Sequence, residues 1–174
     1  MGDRVDSAFD KDTAFRTLEI VNSWITAADN KSSILLAFVG LLVGLSTRMY
    51  MGLTAFLESG TVMEVILGIV FGILYIIILV MTVMNLALVF VARTKEKDLY
   101  SKNIVSYVAI SDMSGKEYID NMKNTKENTL IEMISSQISI NSKIAIKKMR
   151  YFNHALKCAI FLIPITIVII FIIS

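Results

Sequence analysis

The sequence is poor in the residues that most soluble chemistry depends on: of 174 residues, one is cysteine, one histidine, one proline and one tryptophan. A lone Cys158 excludes an intrachain disulfide, and inside an apolar run it reads as a small packing residue. His154 has no second His or Cys at metal-ligand spacing and no nucleophile motif beside it. No metal centre is expected, and next to Asn153 at the mouth of an apolar segment the ring suits an interfacial position. There is no P-loop, no dinucleotide glycine fingerprint and no carboxylate pair on one helical face next to a pocket-forming sequence. The reading is therefore not an enzyme, with no cofactor. The opening residues Gly2, Asp3, Arg4, Asp6, Asp10, Lys11 and Asp12 lack the basic start and cleavage site of a secretory signal, so the first apolar segment is expected to be a retained anchor. Asp3 makes Gly2 a poor myristoylation site.

What the sequence has is apolar length, with 55% of residues hydrophobic. The run from Val65 to Ala92 carries no charge, and about 28 residues rising 1.5 Å each exceed the ~30 Å hydrocarbon core of a bilayer. Lipid offers the backbone no hydrogen bonds, so such a segment must be helical. Ile34 to Thr47, between Lys31 and Arg48, is short by itself, but Arg48 can snorkel and let Met49 to Leu57 lengthen it. Ala155 to Ile173 supplies a third segment of about 19 residues. Pro164 near its middle frees the carbonyl of residue 160 and should kink it.

The fold class is thus an all-α membrane protein, a two-helix transmembrane hairpin plus a third C-terminal span, with a helical cytoplasmic region. The expected segments are an N-terminal cytoplasmic helix (1–32), spans at 33–57, 65–92 and 154–174, and a cytoplasmic helical region at 93–153. Most of the positive charge lies between Ala92 and Cys158, whereas the connection from Thr54 to Glu64 holds only Glu58 and Glu64. The positive-inside rule places the basic region and the N-terminus in the cytoplasm, with that connection outside.

Ala14, Leu18, Val21, Ile25 and Ala28 recur at three and four, one face of a helix that neither Gly nor Pro interrupts from Thr13 to Val39. Asp12 is its expected N-cap. Arg93 to Lys102 reads as a charged helical continuation, and Asn103 to Ile110, rich in β-formers without a strand partner, as an extended or irregular connector. Ser114 and Glu117 form a capping-box pattern. The helix they start should break near Asn124 and Thr125, then resume through Leu130, Ile134, Ile138, Ala145, Met149 and Phe152.

Gly40 and Gly44 in the first span, and Gly68 and Gly72 in the second, are small-xxx-small steps that let helix backbones approach closely. They sit at different depths of an antiparallel hairpin, which suggests contacts between subunits of a homo-oligomer. Asn85, deep in the second span, suits a hydrogen bond across helices. Lys147, Lys148, Arg150 and Lys157 form a basic cluster, either snorkelling to anionic lipid or making an anion-binding collar. Trp24 suits an interfacial anchor, helix packing or, as a sharper use, base stacking; binding of nucleic acid is not expected.

Trp24-Ile25-Thr26-Ala27-Ala28-Asp29-Asn30-Lys31-Ser32-Ser33 resembles the W-x(3)-AD-x-K-A-S signature of the Pycsar-type transmembrane effectors of bacterial anti-phage defence, with Ser32 in place of the alanine. Tyr107-Val108-Ala109-Ile110-Ser111 followed by Tyr118 is similar to the family's aromatic-x-x-I-S…Y segment. Glu127-Asn128, Gln137-Ile138, Asn141, Ile144-Ala145 and Lys148 are similar to its later helix. The resemblance implies an effector in the bacterial inner membrane, activated by a cyclic pyrimidine mononucleotide, cUMP or cCMP, from a partner nucleotide cyclase. It further implies loss of membrane integrity and abortive infection. Under that resemblance Asp29 and Lys31 become a coupling or binding pair, with an interface-anchoring salt bridge as the plainer use. A constitutive scaffold or small channel subunit without a nucleotide ligand is the alternative from the residues alone.

The charge asymmetry predicts that, of cysteines placed at Ser59 and Lys126, only the first reacts with a membrane-impermeant reagent in intact cells. Labelling of both would overturn the topology.

Overall fold

The computed structural model describes residues 10–92 and 103–173, with the backbone alone at 47–55, 57, 59, 108 and 173. The expected charged continuation at 93–102 lies outside the described residues. Among the described residues five helices follow one another: α1 (Lys11–Ser59), α2 (Val62–Val91), α3 (Tyr107–Ser111), α4 (Gly115–Asn124) and α5 (Glu127–Ile173). No strand occurs among the described residues. Helices α1, α2 and α5 are each long and apolar enough to cross a membrane, as an all-α membrane fold requires.

The chain divides into two compact units, Met1–Ala27 with Ala92–Ile146, and Ala28–Val91 with Lys147–Ser174. Both α1 and α5 contribute to each.

The start of α1 is set by Asp10, not Asp12. The Thr13 N–H donates to Asp10 Oδ1 at 2.8 Å, which satisfies one of the amides that a first helical turn leaves orphaned. Asp12 falls inside the first turn, where its charge suits the helix dipole. From there the buried or half-buried positions of α1 step by four and three without a slip: Ala14, Leu18, Val21, Ile25, Ala28, Ser32, Leu35, Val39, Leu42 and Ser46. Ser32 stands fully buried on this stripe. Its hydroxyl is satisfied by donating to the Ala28 carbonyl at 2.8 Å, which is why a serine fits where a small apolar residue would serve.

The α1–α2 connection is tighter than the expected stretch of residues 54–64. Only Gly60 and Thr61 separate the helices. A Cβ at Gly60 would lie 2.7 Å from the Phe56 carbonyl oxygen, so no side chain fits there. Thr61 then caps α2: its N–H and hydroxyl donate to Glu64 Oε2 at 2.8 and 2.7 Å, and the Glu64 N–H points back to Thr61 Oγ1 at 3.4 Å.

In the second unit, Leu35, Val39, Leu86, Ala155 and Ala159 form one core cluster, flanked by Leu79 and Phe152. Leu42, Tyr75, Leu162, Ile165 and Ile169 form the next. Moving between the clusters ascends α1 and α5 and descends α2, so α1 and α5 run parallel with α2 antiparallel to both. One polar contact crosses this apolar packing. Ser46 Oγ donates to the Leu42 carbonyl at 2.8 Å, which leaves the Tyr75 hydroxyl to donate to Ser46 at 2.8 Å. The outer face of α2 is almost wholly apolar and exposed, as a lipid-facing surface must be. Helix α5 continues through Pro164 to Ile173 as a single element.

In the first unit, the stretch read as an extended or irregular connector is a turn at 103–106 that leads into α3, so its second half is helical. Asn103 drives it: its Oδ1 accepts the Val105 N–H at 3.0 Å and its carbonyl accepts the Ser106 N–H at 2.7 Å. A local Asx turn outcompetes β-propensity where no partner strand exists. The expected cap of α4 is present, with the Glu117 N–H donating to Ser114 Oγ at 3.2 Å. The break is also where the sequence puts it, with α4 ending at Asn124 and α5 starting at Glu127.

Hydrogen bonds from Thr13 hold the Asp10 carboxyl below its ordinary pKa. The cap is therefore complete above the ordinary carboxylate range and lost as pH falls through the lowered value. Protection of the Thr13 amide from hydrogen exchange, taken relative to the intrinsic rate at each pH, should be present at neutral pH, fall on acidification, and be absent at every pH in Asp10→Ala.

Candidate functional site

Along α5 the expected face is present, with Ile134 and Ala145 buried and Leu130, Ile138, Met149 and Phe152 half-buried, but two polar residues beside it, Gln137 and Lys148, are buried as well. Apolar periodicity cannot reveal a buried polar group.

For Lys148 the partner is Asp29. Within the second unit, Lys148 Nζ donates to Asp29 Oδ1 at 2.5 Å, with side-chain exposures of 9% and 36% respectively. A lysine this buried requires a counter-charge, since an unpaired ammonium out of water costs several kcal/mol, roughly, by solvation alone. Asp29 thus belongs with Lys148 rather than with Lys31. Two residues apart on a helix, Asp29 and Lys31 point in different directions, and Lys31 is exposed. The basic cluster divides likewise: Lys147, Arg150 and Lys157 are exposed while Lys148 is inside.

The first unit holds a second polar assembly. Gln137 Nε2 donates to Asn141 Oδ1 at 2.9 Å, and Asn141 Nδ2 to Asn22 Oδ1 at 2.7 Å, a relay of three amides that joins α5 to α1. Asn103 Nδ2 donates to the Met133 carbonyl at 2.7 Å, one turn before Gln137, and ties the α3 approach to α5. Asn103, Ser106 and Gln137 are all buried. Of this group the sequence named only Gln137 and Asn141, as part of the family resemblance, and gave neither a role; Asn22, Asn103 and Ser106 carried no signal. Trp24 belongs to the same unit and stands 53% exposed on α1, its indole available to a partner rather than to the core.

The glycine steps separate by environment. A Cβ at Gly40, Gly44 or Gly72 would meet nothing within 4 Å among the described residues, whereas at Gly68 it would come 3.1 Å from Phe56 Cε1 and 3.8 Å from Ile172 Cγ2. Gly68 therefore serves packing within the chain, in contrast to the expected contact between subunits. Asn85 Nδ2 donates to the Met81 carbonyl at 2.8 Å, one turn back in its own helix, and not across helices. Among the described residues no group of three His, Cys, Asp or Glu is placed to hold a metal ion.

Removing one partner of the Asp29–Lys148 pair should destabilise the folded chain by roughly 2–3 kcal/mol, less than for a fully enclosed pair because water reaches Asp29. Thermal unfolding in detergent should show the loss for Lys148→Ala and a substantial recovery in the exchanged double variant Asp29→Lys/Lys148→Asp. Lys31→Ala should leave the midpoint unchanged.

Three membrane-length helices, a buried ion pair and an amide relay are the setting in which the comparisons with known proteins stand. A family model described as the Pycsar effector protein domain, PycTM, matches residues 13–174. The chain is 25% identical to the Pycsar effector protein GmPycTM of Gulbenkiania mobilis, in a match that covers 82% of either chain. No solved structure matches it. Since the family model takes in nearly the whole of every described helix, the chain belongs to the Pycsar effector protein family, the transmembrane effectors of an anti-phage defence system.

Proposed function

We propose that this effector responds to a cyclic pyrimidine mononucleotide, cUMP or cCMP, made by a partner nucleotide cyclase during infection. On binding, it impairs the integrity of the bacterial inner membrane and ends the infected cell's growth. The observation that carries this reading is the family match over residues 13–174. The N-terminus is cytoplasmic in this reading, because the lysines and arginines concentrate between Ala92 and Cys158.

Physical support comes from two helices that leave no break between soluble-type and membrane-type sequence. Lys11–Ser59 and Glu127–Ile173 each run as a single element, so an altered preference at one end is borne along a rigid rod. A ligand moves such an equilibrium only by the difference in its affinity for the two arrangements. One charge-assisted hydrogen bond to a phosphate contributes about 1.5–3 kcal/mol, enough for a shift of roughly ten- to a hundredfold. Asp29 and Lys148 are the coupling residues in this reading, since their bond holds α1 to α5 in the unit that carries the spans. Lys31, Lys147 and Arg150 supply exposed positive charge for an anion, lipid headgroup or phosphate. Trp24 offers a stacking face. Assembly into a homo-oligomer would use the outward glycines Gly40 and Gly44.

Purified protein in liposomes loaded with a self-quenched dye should leak on addition of cUMP or cCMP and stay tight with cAMP or with no nucleotide. Equal leakage under all conditions would instead favour a constitutive channel, and no leakage under any would remove membrane permeabilisation from the reading.

A further inference from the structure

Two buried polar atoms of the first unit have no hydrogen-bond partner among the described residues: Ser106 Oγ and Gln137 Oε1. Their residues are 0% and 5% exposed. An unsatisfied buried oxygen has given up its water for nothing in return, which folded proteins tolerate in few places. These two are not scattered. Ser106 closes the turn opened by Asn103, whose side chain is bonded to the Met133 carbonyl, and Gln137 lies one helical turn beyond Met133. Both orphans therefore flank a single tie between the α3 approach and α5.

We propose that Ser106 and Gln137 form a subsite for the edge of a planar heterocyclic base, the pyrimidine of the cyclic mononucleotide, an inference that rests on the nucleotide-activated reading above. The chemistry of the two atoms is complementary to such an edge. Gln137 Oε1 only accepts, and a hydroxyl both donates and accepts. Together they match adjacent donor and acceptor atoms in one plane: the exocyclic amine and N3 of cytosine, or N3–H and a neighbouring carbonyl of uracil. The other end of Gln137 is already engaged, because Nε2 donates to Asn141, which donates to Asn22 on α1. The relay fixes which atom of Gln137 faces the base. It also makes the occupancy of that atom felt at α1, the helix that continues into the first apolar segment.

Ser106 and Gln137 are buried, so the turn at 103–106 must draw back from α5 to admit a base. What holds the turn is the Asn103–Met133 bond together with the burial of Asn103, Ile104 and Ser106. A ligand that satisfies both orphans favours the opened arrangement and not the closed one, which is the differential affinity that an activating ligand needs.

The test uses the full chain in detergent, titrated calorimetrically with cUMP, cCMP and cAMP, alongside thermal unfolding of the unliganded protein. The variants are Ser106→Ala and Gln137→Met. Ser106→Ala removes an unsatisfied oxygen, so its unliganded midpoint should be equal to or above the wild type's. Pyrimidine nucleotide binding should fall roughly tenfold or more in both variants. A lowered midpoint for Ser106→Ala with unchanged affinity would mean that the atoms hold an ordered water only, and the subsite would be overturned. Unchanged affinity in both variants overturns it too, with nucleotide activation left standing. If the wild type itself binds no cyclic nucleotide, the activation reading fails and the subsite with it.

Discussion

An uninterrupted helix can bury only one stripe, and that stripe must recur every three or four residues for as long as the helix stays packed. Everything else in this chain is fitted to that constraint. In α1 the rule holds from Ala14 to Ser46, across sequence whose outer face changes from charged to apolar. The force that holds the stripe is not the same throughout. Where the outer face is polar, burial of Val21 and Ile25 gains from the hydrophobic effect. Where the outer face is itself apolar, that gain disappears, and close packing of small against large, Ala155 and Ala159 against Leu35 and Val39, has to suffice.

Polar residues on such a stripe cost stability and define register. An apolar seam tolerates sliding, since one leucine lies against another much as well; Lys148 against Asp29, or Asn141 against Asn22, does not. Under the proposed function, contacts of this kind would hold one arrangement until a signal arrives, because they are either made or broken with little between.

The sequence was legible wherever the physics was local or periodic. Apolar length gave α2 and the later part of α5, spacing gave the buried face of α1 from Ala14 to Ala28, and Ser114 with Glu117 gave the start of α4. Three kinds of feature escaped. The cap at Asp10, two residues before the expected Asp12, and the Thr61 cap, which the sequence did not single out, depended on which of several suitable residues the fold selects. The Asn103 turn was hidden under neighbours of high β-propensity. Burial of Lys148 was indistinguishable from exposure, for a partner 119 residues away leaves no trace in local pattern. Fold class lay within reach of length and spacing and the family within reach of a motif resemblance, whereas the candidate sites depend on contacts between distant residues.

Gly68 and Gly72 are one motif in the sequence but two different constraints in the molecule. At Gly68 the chain's own Phe56 stands where a methyl group would go, so an alanine there would have to push an aromatic ring aside. At Gly72 a methyl group would meet nothing within 4 Å among the described residues. Tolerance to substitution at these two positions would therefore divide along the line between what a protomer needs to fold and what it needs from its surroundings. A residue change that leaves the monomer intact yet alters behaviour in the membrane should be sought at 72 before 68.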